Sequence, residues 1–494
     1  MAERNPKCLK ASFFPQHDQN PSEKSAMRTE PIKANLSPAS ADDNCKEDRF
    51  SALPDHILFN ILSFLRTKEA ASTSILSTRW RYIFLDLPKI DLDDYELVNT
   101  RRFRGDESDD CYHDVMGELE EKFIDFVDRL VMHRESPLSE FHFSCGCGCL
   151  TDQTIVVRSW LSSVLSRNVQ VIDVRVKFYG GEFWGPEVFP SEILTCETLV
   201  VLKLDGNVSL KVPKLLCLPN LRVLHLDTLT LLGDSTGSTL KWNCPLLDDL
   251  RIDLVIFCDV GLVDINLPSL TKLVWASEKD KVVLNTPKLE CLEYRFYESI
   301  LSSNCKFKFL TKADLRCEYP DALPEHLAHE LCQLFGQLCN VKHLDLRGCS
   351  LESLLREDHL LPEFLNLTHL VLKWTWIGSW KFLEILLWSA PNLEMLVFEL
   401  MRQFDMASGI HLHCGAKEKP HCLSQHLREV KIMEFVESHQ LGFEIVSYFL
   451  KHGAGLQKMT IYHSRTSPTK WSSSTRKKLM ELSRCSRNCE IVLI

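Results

Sequence analysis

The pattern apolar-x-x-apolar-x-apolar recurs through most of this chain, and no other feature constrains its fold as much. Copies begin at Leu138, Val169, Leu199, Leu221, Leu247, Leu270, Leu289, Leu310, Val341, Leu367 and Leu393, and weaker ones at Leu427 and Leu456. Examples read LVVLKL, LRVLHL, VKHLDL and LTHLVL. The end of each copy alternates with period two, as a short strand does. Proline, alone or followed by asparagine, stands just ahead of many copies (Pro219-Asn220, Pro245, Pro268, Pro287, Pro391-Asn392) and sets the turn into the strand. A unit this small cannot bury its apolar face alone, so neighbours must stack. The expected body is an α/β solenoid with a parallel sheet, irregular because the copies are 19 to 34 residues apart. Chance runs of leucine in an ordinary α/β domain do not account for eleven copies with the same flanking prolines.

Ahead of the array the chain changes character twice. Residues 1–47 scatter Pro6, Pro15, Pro21, Pro31 and Pro38 among Ser, Asn, Asp and Lys, so a disordered tail is expected there. Residues 48–94 then show helical spacing, with Leu53, Ile57, Leu58, Ile61, Leu62 and Leu65 along one side and Pro54 suited to the first turn. A second helical stretch, 68–80, follows the Arg66-Thr67 link, and further helices over 117–133 and 151–167 lead into the array. The 48–94 module is too small for a large core. Its apolar surplus calls for a cover from a partner protein.

Composition removes several function classes. A net charge of −10 gives no electrostatic reason to bind nucleic acid or an acidic membrane. The N-terminus, MAERNPKCLKASFFPQ, lacks the apolar core of a signal peptide, and no run reaches membrane-spanning length. The 20 cysteines are scattered in apolar context and read as small buried hydrophobes of a reducing compartment. No phosphate-binding glycine loop, nucleophile elbow or HExxH occurs, so neither catalysis nor a cofactor is expected.

Residues 48–94 resemble an F-box, close to the plant form. The carriers are Leu53-Pro54-Asp55, Ile57-Leu58, Ile61-Leu62-Ser63-Phe64-Leu65, Ser74-Ile75-Leu76-Ser77, Arg79-Trp80-Arg81 and the exit tract Pro88 to Asp94. His56 departs from the family, which often has Glu there. Residues 95–415, with their helical lead-in, resemble the leucine-rich repeats of the same plant family. Residues 416–494 are similar to the FBD domain that ends these proteins, through Leu427-Arg428-Glu429-Val430-Lys431-Ile432, a helix near Glu444–Leu450, and Leu456 to Ile461. The resemblance implies the substrate-recognition subunit of a Skp–cullin–F-box E3 ubiquitin ligase, working in the nucleus, the cytoplasm or both. The F-box would dock on a Skp-type adaptor, and through it on a cullin–RING ligase. The repeats would hold a protein substrate near the conjugating enzyme, raising the effective concentration of its lysines. The chain itself would do no bond chemistry. A ligase-independent scaffold with an unused F-box is the alternative. The adaptor contact is expected from Leu53, Pro54, Ile57, Leu58, Ile61, Leu62, Leu76 and Trp80, although spacing does not divide these between interface and core.

The array carries a charge pattern of its own. With the first apolar position of a copy taken as i, the residues at i+4 and i+6 point away from the core. The i+6 column reads Asp205, Asp227, Asp253, then Arg295, Arg316, Arg347, Lys373, and the i+4 column carries the opposite signs, Lys203, His225, Arg251, then Glu293, Asp314, Asp345. Two readings stand open: a polarised groove that orients a charged substrate segment, or a face neutralised by its own ion pairs. Cys145, Cys147 and Cys149, and His411, His413, Cys414, His421 and Cys422, lack paired metal-ligand spacing, so no metal is expected. Lys470, Arg476, Lys477, Lys478, Arg484 and Arg487 read as a solvated helix face, with an anion site as the rival.

Overall fold

A computed structural model describes residues 52–94, 110–145, 154–176, 189–234, 237–277, 281–296, 302–303, 307–317, 325–348, 361–374, 380–400, 419–464 and 471–494, with side chains from 121 in the second of these ranges. The tail expected over 1–47 lies outside them. The chain divides into two compact units, Met1–Leu138 and Ser139–Ile494.

The first unit opens with α1 (Asp55–Ser63), α2 (Thr67–Thr73), α3 (Thr78–Leu85) and β1 (Lys89–Asp93), and a long helix, Asp110–Val131, follows. Pro54 stands at the N-cap of α1 in extended geometry, φ −60° and ψ 151°. The single helix expected over 68–80 is broken into α2 and α3. Ser77 is fully extended at φ −166°, and its hydroxyl accepts the Trp80 N–H at 3.4 Å, the cap that starts a new helix. The helix expected over 117–133 begins earlier, at Asp110. Leu58, Leu62, Ala70, Ile83 and Phe84 fill the small core. Buried Thr67 accepts the Asp91 N–H at 2.6 Å, which pins β1 to the start of α2.

The strands of the second unit, in chain order, are β2 (Glu140–Cys145), β3 (Val171–Val176), β4 (Val201–Lys211), β5 (Leu215–Leu216), β6 (Val223–Leu232), β7 (Ser238–Trp242) and β8 (Asp249–Asp253). There follow β9 (Ile256–Cys258), β10 (Val260–Asn266), β11 (Lys272–Ala276), β12 (Val282–Asn285), β13 (Cys291–Phe296), β14 (Ser302–Ser303) and β15 (Lys312–Cys317). The last are β16 (His343–Gly348), β17 (His369–Trp374), β18 (Met395–Leu400), β19 (Glu429–Phe435), β20 (Lys458–His463) and β21 (Glu490–Leu493). One parallel sheet runs β2-β3-β4-β6-β8-β11-β13-β15-β16-β17-β18-β19-β20-β21, with β9 beside β6. Each of the thirteen positions at which a copy begins is at most 1% exposed. Leu202 and Leu204, Leu224 and Leu226, Leu344 and Leu346, the later leucines of their copies, are buried with them.

The reverse side of the solenoid follows the length of the copy only in part: at 26 residues the copy from Leu221 returns as a strand and the copy from Leu367 as a helix. Between Leu199 and Leu310, where copies are 19 to 26 residues long, the return stretches form a second parallel sheet, β14-β12-β10-β7-β5. The longer copy from Leu310 to Val341 returns as the helix Glu325–Gln337 instead. Helices Trp380–Ser389, Gln440–His452 and Ser473–Met480 do the same further on. A helix advances about 1.5 Å per residue against about 3.3 Å for a strand, so a helical return needs more chain.

The last third of the chain extends the same sheet. β18 pairs with β19, β19 with β20 and β20 with β21, all parallel. The sequence reading missed β21 because the register of Lys458 on Glu490 puts Asn488 where a leucine or valine begins the other copies. Five copies also share one backbone device. At i+7 the chain takes a positive φ: Gly206, Thr228, Leu254, Gly348 and Glu434. Glycine is required at Gly348, with φ +116°, because a Cβ there would run into the Cys317 carbonyl.

Candidate functional site

In the first unit the structure sorts the eight expected contact residues by exposure. Leu58 and Leu62 are fully buried and Trp80 is 8% exposed, so these three sit in the core of the module. Leu53 and Ile57 are half-buried, and Pro54, Ile61 and Leu76 stand in water. Four more large apolar side chains, outside the expected contact set, join them: Phe64, Leu65, Ile75 and Tyr82. Phe64 is 89% exposed and Leu76 68%. Six of the seventeen exposed large apolar residues among those described fall between Ile61 and Tyr82. That concentration is what a docking surface looks like before its partner arrives.

The polar residues of the same motifs hold the module together. The Arg79 guanidinium donates to Asp55 Oδ1 at 2.7 Å through Nε and lies 2.6 Å from it through Nη2. It also donates to the Leu53 carbonyl, so α3 grips the chain where it enters α1. The Glu69 carboxylate accepts the Arg66 N–H at 3.3 Å and steadies the start of α2.

On the outward face of the main sheet the two charge columns are straight ladders in register. The i+6 ladder runs Arg175, Asp205, Asp227, Asp253, Ala276, Arg295, Arg316, Arg347, Lys373, Glu399. The i+4 ladder runs Lys203, His225, Arg251, Val274, Glu293, Asp314, Asp345 beside it. Ion pairs link the two. Arg251 reaches Asp227 at 2.7 Å and also meets Asp253. Arg316 lies 3.0 Å from both Glu293 and Asp314, and Arg347 3.0 Å from Asp345. Lys373 lies 3.1 Å from Glu399. At Ala276 the i+6 ladder has no long side chain, and Arg295 Nη1 reaches across it to Asp253 Oδ1 at 3.4 Å.

Asp227, Asp253, Glu293, Asp314 and Asp345 are thus compensated locally. Burial pushes the Asp227 carboxyl above its usual range, against the hydrogen bond from Arg251. Asp345 is raised in the same way, against its bond from Arg347. The hydrogen bond to Asp314 holds Arg316 more firmly protonated than a free guanidinium. Asp249 moves the other way, lowered by the bond that His225 Nε2 donates to it at 3.2 Å. One step further down the strands, His343 and His369 face each other in register with ring centroids 4.4 Å apart.

The remaining described candidates divide: Cys145 and Cys422 are buried in the fold, while His421, Arg476, Lys477 and Arg487 are exposed. Cys147, Cys149, His411, His413 and Cys414 lie outside the described residues. Cys145 is buried at the end of β2. Cys422 is fully buried, donates to the Leu387 carbonyl at 3.4 Å, and has its thiol pushed up by burial to about 12. No group of three or more potential metal ligands occurs among the described residues. Of the basic residues near the C-terminus, Lys470 lies outside the described residues. Lys478 sits 3.9 Å over the Phe443 ring, and Arg484 donates to the Cys489 carbonyl at 3.1 Å. Glu437 clamps this region: it accepts the Ser472 N–H at 2.9 Å and bonds the Ser472 hydroxyl and His463. Burial opposes its charge, but those bonds outweigh burial and hold the carboxyl down at about 2. No described helix is long and apolar enough to cross a membrane.

Comparison with known proteins matches three parts of the chain to families. Residues 50–91 match the F-box domain family, 417–461 the FBD family, and 157–309 the leucine-rich repeats of the FBD-associated F-box protein At5g56370. The chain is 33% identical over 474 residues to the F-box/LRR-repeat protein At4g14096 of Arabidopsis thaliana, covering 90% of this chain and 95% of the relative. It is 33% identical over 371 residues to the F-box/LRR-repeat protein At4g14103 of the same plant, covering 71% and 91%. It is 29% identical over 473 residues to the F-box/LRR-repeat protein 13, again of Arabidopsis thaliana, covering 90% and 96%.

Proposed function

The chain belongs to the F-box/LRR-repeat family, and from that premise we propose that it is the substrate-recognition subunit of a Skp–cullin–F-box ubiquitin ligase. The observation that carries the proposal is the apolar surface of the first unit. Within a stretch that matches an F-box, Ile61, Phe64, Leu65, Ile75, Leu76 and Tyr82 face water while Leu58, Leu62 and Trp80 serve the core. A stable module does not leave that much apolar surface exposed unless a partner covers it. The partner is a Skp-type adaptor, and through it a cullin–RING ligase. Pro54, which is exposed, and Leu53 and Ile57, which are half-buried, contribute with those six exposed residues.

The solenoid is the substrate-holding part. Its ladders present a broad polar face on a rigid support, the arrangement that favours orientation of a ligand over raw affinity. Holding a protein there would raise the local concentration of its lysines at the conjugating enzyme, with no bond chemistry by this chain. The protein works in the nucleus, the cytoplasm or both. The test is co-precipitation of adaptor and cullin with the wild type and with Leu53→Ala/Pro54→Ala. The double variant loses both partners while staying folded. Unchanged co-precipitation by a folded variant would count against an adaptor contact at this edge. Absence of both partners from the wild type would favour a ligase-independent scaffold.

A further inference from the structure

Resting on the reading of the solenoid as the substrate-holding part, we propose that its open sheet face takes a bipolar peptide segment, with basic residues over β4, β6 and β8 and acidic residues over β13, β15, β16 and β17. The argument starts from the direction of the ion pairs. In β4 and β8 the cation stands at i+4 and the anion at i+6, and in β6 His225 stands at i+4 and Asp227 at i+6. In β13, β15 and β16 the order is reversed, Glu293 before Arg295, Asp314 before Arg316, Asp345 before Arg347. Each pair is close to neutral, yet within each half the charges all point the same way. Aligned dipoles on a fixed support do not cancel one another at the edge they share. Along the i+6 edge, between Arg175 at one end and Glu399 at the other, a ligand therefore meets three carboxylates, Asp205, Asp227 and Asp253, and then four cations, Arg295, Arg316, Arg347 and Lys373.

The junction between the halves is built to keep them apart. β11 contributes only Val274 and Ala276 to the two ladders, and the Arg295–Asp253 pair closes over Ala276. That pair uses the acidic group and the cation nearest the junction, leaving Asp227 as the nearest remaining acid and Arg347 as the middle of the three remaining cations. Five strand steps separate them, β6 to β8, β11, β13, β15 and β16. At about 4.8 Å per step the gap is about 24 Å. An extended peptide crosses it in about seven residues at about 3.3 Å each. The acidic half is also primed to respond. Asp227 has already lost part of its hydration to burial, so an incoming cation acts on it through less water.

The test uses the full chain and fluorescein-labelled peptides read by polarisation at low salt. One peptide carries three lysines, a four-residue Gly-Ser spacer and three glutamates, which sets the charge centres about seven residues apart. A second has the same composition with lysine and glutamate alternating. Two half-peptides replace either the glutamates or the lysines by alanine. The block peptide is expected to bind at least tenfold tighter than the alternating one. Asp227→Asn/Asp253→Asn is expected to weaken the lysine half-peptide and spare the glutamate one, and Arg316→Gln/Arg347→Gln to do the reverse. A misfolded variant would lose both half-peptides together, so the crossover reads charge and not collapse. Equal binding of block and alternating peptides, no binding of either, or no crossover in folded variants overturns the proposal. If the wild-type solenoid nevertheless captures a protein that becomes ubiquitylated with the adaptor present, the receptor reading survives and only the charge inference fails.

Discussion

Phe64→Ala should separate docking from folding. The Phe64 side chain is 89% exposed, so the fold gains almost nothing from it. Full burial of a phenylalanine is worth about 1.5–3 kcal/mol, and nearly all of that is still available for a partner to collect. Truncation should therefore cost about 2 kcal/mol of adaptor affinity, roughly a thirtyfold rise in Kd at about 1.4 kcal/mol per decade. Stability should move by less than about 0.5 kcal/mol, as for other exposed positions. Leu62→Ala is the opposite case. Leu62 is 0% exposed in a core of few residues, and its truncation should cost about 2–5 kcal/mol of module stability. Isothermal titration of purified adaptor into full-length protein gives the affinities, and hydrogen exchange of α1 amides gives the local stability. The reasoning fails if Phe64→Ala binds within threefold of wild type. It also fails if Phe64→Ala loosens α1 as much as Leu62→Ala does.

Three further outcomes follow from particular contacts. Gly348→Ala should destabilise the solenoid by about 1–3 kcal/mol, because φ is +116° and a Cβ meets the Cys317 carbonyl; an unchanged melting temperature would contradict this. His343 is lowered by burial and then by the facing His369, Lys312 and Lys342. A depressed folded pKa means that its stabilising contribution is complete above the ordinary value of 6.5 and is lost as pH falls from there through the folded value. His343→Gln should therefore flatten the drop in melting temperature between about pH 7 and pH 5, and an unaltered slope would contradict it. Arg79→Ala should cost only about 1 kcal/mol, since its pair with Asp55 is well exposed and water can replace it at the Leu53 carbonyl; complete loss of the F-box fold, seen by hydrogen exchange, would refute that estimate.

The solenoid core was legible because apolar residues, most often leucine, mark the same three places in every copy. The buried columns that begin at Leu199, Leu221 and Leu247 follow directly from that spacing. The return strands were not legible. β5 and β14 are two residues long, too short to show a period, and β7 and β12 pair only once the first sheet has stacked them. The break between α2 and α3 was hidden because Ile75 and Leu76 read as helix-face residues until the Ser77 cap is noticed. The division of the F-box surface was hidden for a related reason. Phe64 and Ile75 lie at or just past helix ends, where 3.6-residue spacing no longer says which way a side chain points. The alternating charge signs were visible in one dimension. The Arg295–Asp253 clasp was not, since it depends on Ala276 being short enough to reach across.

The central claim is that one unit grips the ligase while the other chooses what is modified. Proximity labelling in plant cells with the proteasome inhibited, comparing the wild type with Phe64→Ala/Leu76→Ala, tests it most directly. Both forms should label the same set of proteins, because the solenoid is untouched. Ubiquitin conjugates on those proteins, and their decay when the inhibitor is washed out, should appear with the wild type alone. Equal conjugation and equal decay with both forms would contradict the account.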